Sequence, residues 1–136
     1  MEITEKQKEK IEELAKKYQL KLILLFGSRV DGKIHKESDY DVAYLPLKKL
    51  SFDQENYLNY DFTGIFHHNR VDTIDIGRAK PLLLFGVFRK CQVLYQQNDL
   101  IFPTYRAYVF KKYIESKPFY EEKFRRLKEE IKKIKI

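Results

Sequence analysis

The chain lacks the features that mark disulfide-stabilised, secreted and membrane-spanning proteins. Its 136 residues include one cysteine, Cys91, so no intramolecular disulfide can form and a reducing cytoplasm is the expected setting. The charged N-terminus, residues 1–10, has no apolar segment of the kind found in signal peptides. No apolar stretch approaches the roughly 20 residues that cross a bilayer. The sequence therefore predicts a cytoplasmic protein without a membrane partner.

Composition and charge are typical of a small globular protein. Hydrophobic residues make up 43% of the chain and charged residues 35%, which argues against disorder. The length predicts one domain with a real core. The net charge of +7 is concentrated at the C-terminus, where residues 101–136 contain 11 Lys and Arg against 5 Asp and Glu. Because both signs are mixed along this segment, we expect a solvated helix face, and nucleic acid is a disfavoured partner.

The most informative segment combines a Gly-Ser turn with a pair of aspartates. Gly27 and Ser28 follow an apolar run over residues 20–26, and Asp39 and Asp41 precede a second apolar run over residues 42–45. On a strand, side chains at i and i+2 point to the same face, so the two carboxylates are expected to project together. Such a pair repels itself unless a cation lies between its members, and Mg²⁺ prefers hard oxygen ligands. The pattern predicts a magnesium site beside a phosphate-binding turn.

The turn itself has the residues needed to hold phosphate. A glycine lets the backbone approach a ligand closely, and the N–H and hydroxyl of Ser28 can then bind phosphate oxygens. Nearby basic or titratable side chains can neutralise a triphosphate; they are Arg29, Lys33, His35 and Lys36. Exposed loops are often basic, however, and Gly-Ser and Asp-x-Asp are each common in solvated turns. The combination of Gly-Ser with Asp-x-Asp at this spacing favours the functional interpretation of the two motifs, whereas for the four basic or titratable side chains a phosphate-binding role and a solvated role stay equally open.

The rest of the chain alternates helical and strand-like segments, which predicts an α/β or α+β fold. Thr4 and Gln7 fit a capping box at the start of the first helix. Ser51 is expected to cap a helix that runs to His67, and Asn69 is expected to end it in the left-handed conformation. The expected strands are residues 20–26, 40–45, 71–76 and 92–95, and the later helices are residues 29–33, 51–67, 81–90, 103–115 and 119–134.

These motifs resemble the minimal nucleotidyltransferase family, which belongs to the superfamily of DNA polymerase beta-like nucleotidyltransferases. The resemblance rests on Gly27–Arg29, the second glycine at Gly32 and the Ser-Asp-x-Asp pattern at Ser38–Asp41. Residues 70–76 look like the next strand of that family, followed by a proline, a helix and a short strand over residues 81–95. The resemblance implies a small mixed sheet of about four strands with helices mainly on one face, plus C-terminal helices.

The resemblance also implies a reaction and a site. The family moves AMP from ATP with two Mg²⁺ ions, and its pattern implies that Gly27, Ser28, Arg29 and Ser38 bind the nucleotide. It implies that Asp39, Asp41 and a third carboxylate hold the metals and act in catalysis. Asp72 and Asp75 are three residues apart, so they face opposite sides of a regular strand, and periodicity does not choose between them. The family's pattern implies Asp72.

The acceptor is expected to belong to another molecule. The sequence divides into an expected nucleotidyltransferase domain over residues 1–100 and a C-terminal helical extension over residues 101–136, packed on the domain or on a partner. An apolar seam marks the end of the extension: Tyr120, Phe124, Leu127, Ile131 and Ile134. The resemblance implies a HEPN-type toxin as the partner, adenylylated on a tyrosine by an antitoxin. The alternatives are a non-catalytic antitoxin that acts by contact, and nucleotidyl transfer to a small molecule or to RNA.

Overall fold

A four-stranded mixed β-sheet forms the centre of the molecule. The computed structural model describes residues 1–31 and 39–134. The elements, in chain order, are α1 (Glu5–Lys17), β1 (Leu20–Phe26), α2 (Ser28–Asp31), β2 (Tyr40–Pro46), α3 (Phe52–Phe66), β3 (Val71–Asp75), α4 (Pro81–Arg89), β4 (Cys91–Gln96) and α5 (Ile101–Ile134). The strand order is β3-β2-β1-β4, with β2 and β3 parallel and the other two pairs antiparallel. The expected mixed α/β fold is confirmed.

Strand β1 is central because its side chains are apolar on both faces. Ile23 and Leu25 face one apolar layer, whereas Leu22 and Leu24 face the other, and all four are 0% exposed. Alternation of side chains along a strand produces this division. The continuous apolar run that predicted a strand buried on both faces is thereby explained.

The helices cover both faces of the sheet, whereas the sequence predicted them mainly on one. Helices α1 and α3 pack on one face through residues such as Ile11 and Phe62. Helices α4 and α5 pack on the other face through residues such as Phe88 and Val109. The second layer follows from the composition of α4, which is apolar over most of its length and packs against the first half of α5.

The helix starts were predicted better than the helix ends. The Thr4–Gln7 capping box is present, and Ser51 caps α3 with a second box to Gln54. The expected left-handed residue at Asn69 is wrong, because His67 takes that conformation with φ of 52°. The His68 N–H then bonds to the Thr63 carbonyl at 3.2 Å, so the helix is already closed before Asn69.

Helix α5 is continuous, although the sequence predicted two helices separated at Lys117–Pro118. Pro118 lies inside the helix and lacks the N–H that would bond to the Ile114 carbonyl. Ile114 is 68% exposed, so water can satisfy that carbonyl and the chain continues as a helix. Within residues 1–31 and 39–134, no helix is both long and apolar enough to cross a membrane.

Candidate active site

Gly27, Asp39, Asp41 and Asp72 meet at one end of the sheet. Gly27 directly follows β1, Asp39 directly precedes β2, and Asp41 is the second residue of β2. Phe26 pairs with Asp41 across β1 and β2, and Asp41 pairs with Asp72 across β2 and β3. Strand pairing therefore brings the turn, the Asp-x-Asp pair and Asp72 together from three separate parts of the sequence.

Gly27 and Asp41 fit against each other so closely that a side chain in the turn would be strained and would displace the Asp41 carboxylate. Gly27 has φ of +79°, which L side chains rarely adopt. A Cβ placed on it would lie 2.2 Å from the Asp41 Oδ2 atom. The turn is stabilised by the Val30 N–H, which donates to the Gly27 carbonyl at 3.0 Å. The two halves of the motif thus form one packed unit, with the carboxylate above the turn.

The electrostatics of the site show an excess of negative charge. Burial raises the pKa of Asp41, and the nearby carboxylates of Asp72 and Asp39 raise it further. Each of these effects disfavours the ionised form of Asp41. A cation at this position would remove the repulsion among the three carboxylates.

Asp39 is only partly compensated by the protein. Its Oδ1 atom is buried and makes no hydrogen bond with the described part of the chain. The Arg70 Nη1 atom approaches Oδ1 to 3.9 Å from the residue preceding β3, and the Arg70 side chain is 65% exposed. Sequence reasoning missed Arg70. The sequence signal that could have identified Arg70 is its position directly before β3. Because β2 and β3 are parallel, the residue before β3 lies beside Asp39, the residue before β2.

Asp75, the alternative third acid, has a different environment. It is 8% exposed, and its Oδ1 atom accepts a hydrogen bond from the Gly77 N–H at 2.8 Å. Its Oδ2 atom accepts from Arg78 Nε at 3.2 Å, and Arg78 also pairs with Glu55 of α3. Asp75 therefore closes the turn after β3 and helps to hold α3, away from the Gly27–Asp41 unit.

Arg29 lies on an aromatic stack beside the turn. Its guanidinium is 4.1 Å from the centroid of the Tyr40 ring, a cation–π distance. Tyr40 in turn stacks on Phe66 of α3 with ring centroids 4.5 Å apart. Tyr40 projects away from the side of Asp39 and Asp41, as predicted, and serves as a platform for the arginine of the motif.

Four of the residues proposed to bind phosphate or nucleotide cannot be placed. Ser38, Lys33, His35 and Lys36 lie outside the described residues. Within the described ranges, no three side chains of the His, Cys, Asp or Glu type form a ready-made metal cluster. Cys91 is half-buried, and burial raises its pKa to about 11, as suits a packing residue rather than a nucleophile.

Comparison with known proteins identifies the family. Residues 9–100 match the sequence pattern described as Polymerase beta, Nucleotidyltransferase. The chain belongs to the polymerase beta nucleotidyltransferase family. The family resemblance drawn from the Gly-Ser and Asp-x-Asp motifs is confirmed.

One curated relative is the protein adenylyltransferase MntA of Aphanizomenon flos-aquae. It is 29% identical over 93 residues, which cover 57% of this chain and 58% of that protein. The match thus spans less than two thirds of that relative.

Solved structures share the fold. A chain of a toxin–antitoxin crystal structure with AMP-PNP aligns with a TM-score of 0.66 and 24% identity over 86% of this chain and 98% of that one. A chain from the complex of a tri-AMPylated Shewanella oneidensis HEPN toxin with an MNT antitoxin aligns with a TM-score of 0.60 and 22% identity, covering 87% and 96%. At these identities the likeness shows that the fold is shared.

Proposed function

We propose that this protein transfers AMP from ATP to a hydroxyl group of another protein. The observation that carries the proposal is the Gly27–Asp41–Asp72 arrangement, in which a glycine turn packs against neighbouring carboxylates at one end of the sheet. Family membership supplies the reaction class, since polymerase beta relatives are nucleotidyltransferases. The use of ATP makes the cytoplasm the proposed location.

The carboxylates suit Mg²⁺, and we assign Asp39, Asp41 and Asp72 as the residues that would hold two ions. The fit rests on two observations. The Oδ1 atom of Asp39 is buried without a hydrogen bond, and burial, together with repulsion from Asp72 and Asp39, raises the pKa of Asp41. Hard carboxylate oxygens are what Mg²⁺ selects. When bound, the metal neutralises phosphate charge and stabilises the attacking and leaving oxygens.

The chain's own groups would position the nucleotide. The backbone N–H groups of Gly27 and Ser28 would bind the phosphates, in a turn that packs directly against the Asp41 carboxylate. Arg29, oriented by Tyr40, supplies positive charge beside the turn. Ser38 is a further proposed nucleotide ligand on the evidence of the sequence pattern alone. Positioning and charge neutralisation account for most of the rate enhancement in such transfers.

The chemical step is an in-line displacement at the α-phosphorus. The acceptor hydroxyl oxygen forms a bond to that phosphorus while the bond to pyrophosphate breaks. The hydroxyl proton passes to a carboxylate, for which we propose Asp72, because it is exposed and lies beside Asp41. AMP is thereby joined to the acceptor, and pyrophosphate leaves.

We infer that the acceptor is a tyrosine of a HEPN-type toxin, so that the protein acts as an antitoxin by adenylylation. The inference is supported by the relative named protein adenylyltransferase MntA and by the fold shared with chains of toxin–antitoxin structures.

The test is transfer of labelled AMP from ATP to a HEPN-type protein encoded beside this one. We expect label on the partner with the wild type and with Asp99→Asn, an exposed carboxylate away from the site. Asp39→Asn and Asp41→Asn should each reduce transfer by roughly 100-fold or more. Equal transfer by all four proteins would contradict the proposed site. Neutralisation of the partner by the Asp39→Asn/Asp41→Asn double variant would instead establish a non-catalytic antitoxin that acts by contact.

A further inference from the structure

The second half of α5 leaves the globular part of the molecule with an uncovered apolar surface. We call this surface the exposed stripe; it comprises Tyr120, Phe124, Leu127, Ile131 and Ile134. Phe124 is 56% exposed, Leu127 and Ile131 are 50% exposed, and Ile134 is 80% exposed. The spacing of four, three, four and three residues keeps them on one side of the helix. An apolar stripe of this length is costly in water and calls for a covering partner.

The structure shows how the same side of α5 is covered nearer the sheet. Phe88 of α4 stacks with Phe102, and Phe85 contacts Phe110 and Tyr113. The later residue of α4 contacts the earlier residue of α5, and the earlier residue of α4 contacts the later ones, so the two helices are antiparallel. Tyr113 is the last α5 residue in these ring contacts, and the exposed stripe continues the same apolar side beyond it. An antiparallel apolar helix is therefore the kind of partner that this side of α5 already accepts.

We propose that the exposed stripe pairs with the same stripe of a second copy of this chain, in antiparallel orientation. In the symmetric register, Phe124 of one copy lies level with Leu127 of the other, and Tyr120 lies level with Ile131. The four central layers then each join an aromatic ring to an aliphatic side chain, and Ile134 at either end lies level with Lys117 of the second copy. This pairing goes beyond the proposed transfer reaction and does not depend on it.

Charge complementarity selects this partner and this orientation. The charged residues that flank the stripe are Glu121 and Lys128 on one side and Lys123 and Glu130 on the other. In the antiparallel register Glu121 faces Lys128 of the second copy, and Lys123 faces its Glu130, each pair occurring twice. A parallel pair would instead set Lys123 against Lys128 of the second copy. Flanking pairs of this kind decide orientation and partner in coiled coils.

The outer face of the helix is occupied by contacts within one chain. Arg125 bonds to Glu122 at 2.6 Å and to Glu129 at 2.7 Å, and Arg126 bonds to Glu122 at 3.2 Å. These intrahelical pairs lie opposite the stripe and stabilise the helix. Among the flanking residues, Glu121 forms an exposed ion pair with Lys117 of the same helix at 4.0 Å, so its pairing with Lys128 of the second copy would replace that weak contact.

The geometry leaves room for both globular parts. Helix α5 has 34 residues and is therefore about 51 Å long. With Phe124 level with Leu127, Tyr113 of the second copy lies about four residues past Ile134 of the first, by the helical rise. The two sheets with their helices are then at opposite ends of the paired segment.

The first test is the oligomeric state of the full chain, measured by sedimentation equilibrium across micromolar to millimolar concentrations. We expect concentration-dependent dimers. Leu127→Glu should abolish them because it places a charge in a central layer, while circular dichroism shows an unchanged helix content. Lys132→Gln, which lowers the net charge by the same one unit at a position off the stripe, should leave dimerisation unaltered. A wild type that is monomeric throughout, or a Leu127→Glu variant that still dimerises, would overturn the proposal.

The second test fixes the orientation. Lys128→Glu sets Glu121 against a glutamate twice in the antiparallel dimer, so we expect dimerisation to weaken roughly tenfold. The double variant Glu121→Lys/Lys128→Glu restores opposite charges and should recover the wild-type dissociation constant. In a parallel dimer Lys128→Glu would remove the Lys123–Lys128 repulsion and tighten association. Tightening, or failure of the double variant to recover, therefore refutes the antiparallel pairing.

Discussion

At the scale of single residues, Gly27 is the position where backbone conformation and site chemistry coincide. A methyl group there would contact the Asp41 carboxylate and would also have to adopt φ of +79°. We expect Gly27→Ala to lower the free energy of unfolding by at least about 1–2 kcal/mol and to abolish AMP transfer, since Asp41 must move. Thermal unfolding and a transfer assay measure the two effects.

Gly64 is the matched control for this substitution. It lies within α3, has ordinary backbone angles, and a Cβ there meets nothing within 4 Å. Gly64→Ala should raise the free energy of unfolding by about 0.5–1 kcal/mol because alanine favours the helix. Equal stability of the two variants would show that Asp41 does not press on the turn.

We predict that substitution of Asp72 lowers the rate of AMP transfer, whereas substitution of Asp75 lowers the stability of the fold. Asp72→Asn should reduce transfer by roughly 100-fold or more if it accepts the proton, with the fold unaffected because the side chain is exposed. Asp75→Asn should lower stability by about 1–3 kcal/mol, because a buried carboxylate bonded to Gly77 and Arg78 is disturbed. Unfolding and activity measured on both variants test the assignment, and reversed outcomes would make Asp75 the site residue.

The sequence could not choose between these two aspartates for a definite physical reason. Periodicity along one strand says only that they face opposite sides. The choice depends on register, because parallel pairing sets Asp72 beside Asp41 and Tyr44 beside Asp75. Arg70 was missed for the same reason, since its closeness to Asp39 exists only once β2 and β3 pair. In contrast, the Gly-Ser turn and the Asp-x-Asp pair are local features and could be predicted directly.

At the scale of elements, the sequence predicts helix starts well, because a helix start depends on contacts among residues close together in the chain. The capping boxes at Thr4 and Ser51 satisfy N–H groups of their own first turns, so the sequence predicts them well. The predicted break at Pro118 was wrong because the helix on both sides is long and favourable. Its stability exceeds the cost of a proline inside a helix, about 3 kcal/mol. The left-handed residue that ends α3 is His67 rather than Asn69. It directly follows Phe66, the last buried residue of the helix.

The end of β2 is held by a cluster that links α3 with the turn after β3. Tyr44 is 2% exposed, and burial, followed by the nearby carboxylates of Glu55 and Asp75, raises its pKa to about 12. A raised pKa means that the folded state favours the neutral phenol. The stability from this group is complete below pH 10, the unfolded-state pKa, and is lost as the pH rises towards 12.

We therefore predict that the wild type loses more stability between pH 10 and pH 12 than Tyr44→Phe does. Denaturant unfolding at several pH values gives the difference, which removes the contribution of lysines and of the other tyrosines. Absorbance of tyrosinate should also lose its latest-titrating component in Tyr44→Phe. Identical pH dependence in the two proteins would show that Tyr44 ionises without hindrance.

At the scale of the whole molecule, α5 has two roles along one helix. Its first half completes the apolar layer on the α4 side of the sheet, where Val109 is 2% exposed and Phe102 stacks on Phe88. Its second half carries the exposed stripe. The sequence showed the apolar seam of the second half, but spacing alone could not say whether that seam lies against the domain or against a partner, because that depends on how far α4 extends along α5.

This division makes the two possible C-terminal truncations behave differently. A chain ending at Ser116 retains the ring contacts to α4, so we expect its melting temperature to fall by no more than a few degrees. A chain ending at Leu100 uncovers Phe88 and Val87, each 1% exposed in the full molecule, and should be unfolded or aggregated. Differential scanning calorimetry with sedimentation of the soluble fraction distinguishes them. A stable, soluble chain of residues 1–100 would show that the first half of α5 is not needed for folding, whereas loss of folding in both truncations would show that the exposed stripe also stabilises the folded chain, as a monomer or through the dimer.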